Sequence, residues 1–256
     1  RGSCIAILLP ENINNQGMLY NINCIFTDNY ASYRAAVLYI NSFPSYDYRV
    51  INIRSKFIKN YAEMDGGCMT FFDLREIINY KCIFKNNRAR RRGGVFYSQR
   101  MRFFQNIDSF FEHNAAEYSW KKGVPHTLRT EGGVIFCTVN LSFRKNIFLN
   151  RNTSFIANRA SGPGTSERHS ILGGCFYVYM APLHAPSWPS HSVVSLINCT
   201  FLNNHASFDG GAFYLMSKER VYGKIQIFSC YFRRNTAKQN GGVMFLYNIN
   251  YIFASN

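Results

Sequence analysis

Acidic residues, tryptophan and proline are scarce in this 256-residue chain: 14 Asp and Glu stand against 29 Lys and Arg, with 2 Trp and 7 Pro. So few carboxylates leave a formal charge of +15, which excludes an acidic, solvating disordered chain. No window holds the roughly 18 consecutive apolar residues of a membrane-crossing helix, so no membrane span is expected. The opening residues RGSCIAILLPENINN lack the length and cleavage pattern of a signal peptide. Cys-x-x-Cys pairs and zinc-type Cys/His spacings are also missing, and no metal or other cofactor is expected. What the chain does have is 47% apolar and 16% aromatic residues, enough for a large core.

The string Phe-x-x-Asn-x-Ala occurs seven times, starting at Phe26, Phe57, Phe84, Phe111, Phe155, Phe201 and Phe232. In five copies a pair of small residues follows nine positions after the Phe: Ala35-Ala36, Gly66-Gly67, Gly93-Gly94, Gly210-Gly211 and Gly241-Gly242. In the other two the pair is delayed, to Gly132-Gly133 and Gly173-Gly174, which marks insertions. An apolar run follows each pair, and the shortest repeat is 27 residues. Helical repeats would need 3.6-residue periodicity, whereas these units hold short β-branched and aromatic runs bounded by Gly and Asn. A propeller blade needs about 40 residues, while 27 suit one coil of a parallel β-helix. The expected fold is all-β, a right-handed parallel β-helix of about eight coils occupying residues 1–256 as one domain.

Such a solenoid stacks like residues on like, about 4.8 Å apart. Two positions before the Phe stand Cys24, Ser55, Cys82, Ser109, Thr153, Cys199 and Cys230, small enough to point inward. The Asn column suits a corner, because an amide can bond the next coil and Asn tolerates the left-handed conformation. After the small pair both strand parities are apolar, as in Val95-Phe96-Tyr97 and Ala212-Phe213-Tyr214. That pattern predicts a strand covered on its outer face by an insertion, another domain or another molecule.

FxxN joined to GGA, GGV or GGC in a repeated coil resembles the polymorphic outer-membrane protein repeat, known from chlamydial autotransporter passengers and from surface proteins of several protists and algae. The resemblance spans nearly the whole chain. It implies a right-handed β-helix in a secreted or surface protein, commonly an adhesin or structural component, with no catalytic residue to carry over. Arg1 to Ile5 reads as the tail of a preceding unit, and neither end shows a polar cap. The chain is therefore expected to be a segment of a longer β-helix, or to stack its ends on neighbours.

Six of the eight cysteines fall in two inward columns, where thiols pack well, so free core thiols are expected, with Cys199–Cys230 as the one pair to test. Asn140, Asn152 and Asn198 stand in Asn-x-Ser/Thr sequons and are glycan acceptors if the protein is secreted by a eukaryote.

Three insertions, 117–131, 161–171 and 181–192, hold both tryptophans and four of the six histidines. Trp120, His126, His169, His184 and Trp188 are the ligand-binding candidates, with Pro-stiffened loops covering the outer strand as the plainer reading. The run Arg88, Arg90, Arg91 and Arg92 is a basic patch that could meet acidic polysaccharide or an anionic membrane surface, or form a solvated edge. Nucleic acid is not expected, for want of a binding module. Pectin-cleaving enzymes share the architecture but need convergent carboxylates. Here only Asp65 and Asp209 read as sharing a repeat position, in widely separated coils, so no enzyme is expected. The expected function is an extracellular or cell-surface structural or adhesive protein, acting by surface presentation and by self-association into a fibre or layer. The alternatives are a carbohydrate-binding or carbohydrate-cleaving β-helix with its site at the insertions, and an intracellular scaffold docking through its basic edge.

Overall fold

The computed structural model describes residues 3–8, 16–42, 47–118, 130–140, 145–162, 171–181, 190–217 and 221–255, except for the side chains of 139, 140, 145, 181, 190, 191, 221 and 222. Four parallel sheets run along one axis, two of eight strands and two of seven. Each of the first seven coils contributes one short strand to each sheet and an eighth adds strands to the two larger sheets, forming a right-handed parallel β-helix. In the third coil the strands are Met69–Phe72 after the Gly pair, Glu76–Tyr80, Ile83–Lys85 with the repeat Phe, and Arg88–Ala89. These define the first to fourth sheets.

The register follows the repeat, with a bulge at Arg100 where the first-sheet strand of the fourth coil pairs with the next. Phe26, Phe57, Phe84, Phe111, Phe155, Phe201 and Phe232 pair in order along the third sheet. Their rings stack nearly coplanar at 4.6–5.1 Å between centroids, from Phe26–Phe57 to Phe201–Phe232. Stacked pairs of this kind contribute about 0.5–1.5 kcal/mol each beyond their burial. Beside them Ser55, Cys82, Ser109, Thr153 and Cys199 are buried, as their small size predicts.

The repeat Asn side chains point into the core rather than occupying a left-handed corner. Asn60 Nδ2 donates to Asn87 Oδ1 at 2.9 Å, Asn87 to Asn114 at 3.0 Å, and Asn114 to Asn158 at 3.1 Å. Each Oδ1 also accepts the backbone N–H of the Asn one coil before, as Asn114 Oδ1 does from Asn87 at 3.0 Å. The ladder thus satisfies backbone groups that burial would otherwise strand. The positive φ expected of these Asn belongs to the residue before, Asp28, Lys59, Asn86, His113, Ala157, Asn203 or Arg234. A second buried ladder, Asn21–Asn52–Asn79–Asn106–Asn150, links the second sheet at 2.7–2.8 Å and ends where the next coil has Leu196.

The Gly pair divides its labour. The first glycine takes positive φ, 63° at Gly93, and the second permits close approach: a Cβ on Gly94 would sit 2.2 Å from the Gly133 carbonyl oxygen. Ala35 adopts the same left-handed conformation, φ 54°.

The expected insertion limits change at their edges. Glu117 and Ser161 end strands of the fourth sheet, and Thr130–Glu131 pairs with Ile171–Leu172 in a separate two-stranded sheet. Residues 181 and 190–192 belong to strands Phe176–Ala181 and Ser190–Ile197. Among the described residues, the exposed large hydrophobics fall in the first coil and the last two.

Candidate functional site

The outer face of the first sheet is buried in the middle of the solenoid. Tyr97, Phe136 and Tyr177 stack at 5.0 Å, and Leu172 packs on them, with Phe72, Tyr179, Phe208 and Tyr214 around the edge. Arg92 lies 4.6 Å from the Tyr97 ring centroid and 4.9 Å from that of Phe136, a cation–π cover. The three rings are buried, so this ladder offers no exposed platform for a sugar.

Arg92 belongs to a column of alternating charge beside these rings. Arg34, Asp65, Arg92 and Glu131 occupy the same position, just before the small pair, in successive coils, followed by Leu172 and Asp209. The Asp65 carboxylate is fully buried and is held by Arg34 (3.1 Å), Arg91 (2.6 and 2.9 Å) and Arg92 (3.1 and 3.2 Å). Burial pushes its pKa up, and the hydrogen bonds and charges of Arg91 and Arg92 push it down further, leaving it below the ordinary carboxylate value. Burial lowers the pKa of Arg92 while Asp65 raises it, with a net rise. Asp209 is engaged too, accepting the backbone N–H and the amide of Asn240, both at 3.0 Å.

The basic run therefore divides. Arg91 and Arg92 belong to the buried Asp65 cluster, Arg90 reaches Glu63 at 3.3 Å, and Arg88 alone of the four is well exposed. It does not form one patch, because the carboxylates of Asp65 and Glu63 take up the other three arginines. Arg88 instead lines a shallow polar groove of about 300 Å³ with Asn86, His113, Ala115, Ala157 and Arg159. Arg88, Ala115 and Arg159 pair in register across three coils of the fourth sheet. Glu117 bonds Arg159 and lies 3.9 Å from Arg88 Nη1. Arg159 is the missed residue: the motif copies that carry it and Arg88 are two coils apart, and only stacking brings them together.

Trp120, His126, His169, His184 and Trp188 lie outside the described residues. Asn140 ends strand Ile135–Asn140, with its side chain outside them too. Asn152 and Asn198 are exposed left-handed corner residues in adjacent coils, φ 50° and 51°, and Asn198 Nδ2 donates to Asn152 Oδ1 at 3.1 Å. All eight cysteines are free. Burial pushes the Cys137 thiol up to about 12 and Cys82 to about 11. At the Cys199–Cys230 step the Cys199 backbone N–H donates to Cys230 Sγ at 3.4 Å. A thiol hydrogen bond from Cys199 brings Cys230 down to about 7 and raises Cys199. Among the described residues no cluster of His, Cys, Asp and Glu could hold a metal, and no helix is long and apolar enough to cross a membrane.

Residues 198–215, NCTFLNNHASFDGGAFYL, are one motif from corner to outer strand. They match the Chlamydia polymorphic membrane protein repeat. The matched segment runs through the third- and fourth-sheet strands and the Gly pair of one coil, so the similarity is to the repeat whose geometry recurs along the solenoid. No curated protein and no solved structure gives a match to the chain.

Proposed function

We propose that the chain is a surface-displayed, non-catalytic β-helix that works as an adhesive or structural element by presenting its side faces. The observation that carries this reading is the repeat match at residues 198–215, in a motif that recurs seven times in register. The repeat belongs by its description to membrane proteins of Chlamydia, which supports a cell-surface location. The carboxylates support binding over catalysis, because Asp65, Glu63, Glu112 and Glu117 are engaged by Arg or Lys rather than converging on a cleft. Self-association into a fibre or layer is proposed as part of that role.

Antibodies raised against residues 1–256 test the location. Labelling of intact source cells is expected, and labelling confined to permeabilised cells would favour the intracellular scaffold. Sedimentation over a range of concentrations tests the assembly, with higher-order species expected as concentration rises. Glycans at Asn152 or Asn198, found by peptide mass spectrometry, would add a eukaryotic secretory route.

A further inference from the structure

The groove over Ala115 has the form of a seat for a chain of spaced anions. Two arginines, Arg88 and Arg159, flank the small Ala115 in register, and Ala157 completes the apolar part of the lining. Their side chains are 53% and 51% exposed and share one carboxylate, Glu117, which leaves the clamp one positive charge in excess. The 3.9 Å separation from Glu117 leaves Arg88 with most of its donors uncommitted. Asn86 and His113 line the same edge of the groove in adjacent coils, and the exposed His113 imidazole lies 3.7 Å from Glu112. In the next coil the register position belongs to His205, which burial and the charges of Lys238 and Arg159 hold toward its neutral form. Arg234 and Lys238 are exposed, and no ion pair ties either of them among the described residues.

Register fixes the spacing. Arg88 and Arg159 stand two coils apart, in the third and the fifth, so their backbone positions lie about 10 Å apart, twice the ~4.8 Å strand separation; Thr236 holds the same register position in the seventh coil, with Arg234 and Lys238 two residues to either side. That is close to the length of two linked pyranose rings. A duplex nucleic acid carries one charge per ~1.7 Å, far denser than this row, and the groove has no aromatic ring on which a base could stack. We infer that the Arg88–Ala115–Arg159 groove binds a linear acidic polysaccharide carrying one carboxylate or sulfate per disaccharide, laid along the solenoid axis. Arginine suits either anion, since its planar fork donates two parallel hydrogen bonds.

This inference supplies a ligand for the side face that the surface reading presents, and it is tested separately on the purified 256-residue chain. Affinities are measured at about 0.15 M salt for polygalacturonate, heparin, neutral dextran and a short DNA duplex. One acidic polysaccharide is expected to bind more tightly than dextran or DNA, and the polygalacturonate and heparin arms tell carboxylate from sulfate recognition. Arg88→Gln and Arg159→Gln together are expected to weaken that binding about tenfold, a change of about 1.4 kcal/mol, and Arg88→Gln alone by less. Arg54→Asn with Lys81→Asn removes the same charge at a different corner and is expected to leave affinity within about twofold. Equal losses in the two double variants, equal binding of DNA, or no preference for the acidic polymers would each overturn the inference. Such a failure would leave the cell-surface reading standing, because that reading rests on labelling of intact cells.

Discussion

The carboxylate of Asp65 receives a two-pronged pair from Arg92 of the following coil, at 3.1 and 3.2 Å, and both residues occupy the same position of their repeats. Like-on-like stacking, which holds for Phe and Asn, would be repulsive for charge, so this column alternates in sign from Arg34 to Glu131. Alternation of this kind also penalises a slip by one coil, which would place Arg on Arg and Asp on Glu.

Removing the centre of that cluster should be costly. Asp65→Ala leaves Arg91 and Arg92 buried without their carboxylate and is expected to cost about 3–5 kcal/mol in urea unfolding. Because the folded pKa of Asp65 is lowered, its contribution is complete at pH well above the unfolded value of 3.8 and is lost as pH falls below it through the folded value. Wild-type stability should therefore drop on acidification in that range, and the Asp65→Ala chain should lose less.

The Asn ladder predicts a difference between isosteres. Asn114→Asp replaces the amide that donates to Phe84 O at 2.9 Å and to Asn158 Oδ1 at 3.1 Å by oxygens facing oxygens. A loss of about 3 kcal/mol or more is expected at pH 7, larger than for the same change at the more accessible Asn86. Parallel urea titrations of the two variants read the difference.

Gly94→Ala should be among the most damaging single substitutions. Its Cβ would lie 2.2 Å from the Gly133 carbonyl oxygen and 2.6 Å from Ala115 backbone atoms, none of which can move without shifting a coil. Circular dichroism and soluble yield are expected to fall together, whereas Ala36→Gly should fold, since glycine is the usual residue there.

Thiol labelling should proceed in a fixed order. Cys230, half-buried with its pKa brought down to about 7, is expected to alkylate before Cys199, Cys82 and Cys137 in native protein at pH 8. Peptide mass spectrometry after a timed iodoacetamide pulse gives the order, and Cys137 should react only after unfolding.

The fold was legible because a β-helix places equivalent residues of each repeat in contact. Aligning the repeat on itself turns a column such as Phe84, Phe111 and Phe155 directly into a row of spatial neighbours. The second Asn ladder has the same 27-residue spacing at Asn52, Asn79 and Asn106, but it lies outside the Phe-x-x-Asn string that marks the repeat. The charge column was harder to see, because the insertion before Glu131 disguises its phase and because its members differ in sign. For the candidate site, the sequence pointed to the run Arg88 to Arg92, of which the groove takes only Arg88.

By itself the sequence determined the repeat, the strand register and the inward faces, since these depend on local spacing and on which side chains can be buried. Tertiary structure alone decided which charges are spent and which are free. Arg92 and Arg88 are four residues apart and chemically identical, yet one is sealed over Tyr97 against Asp65 and the other stands in solvent opposite Arg159. That outcome depends on the coils above and below. Coulomb energy and burial are set by distances between residues that the chain separates by 27 to 44 positions, from Asp65 to Arg92 and from Ala115 to Arg159.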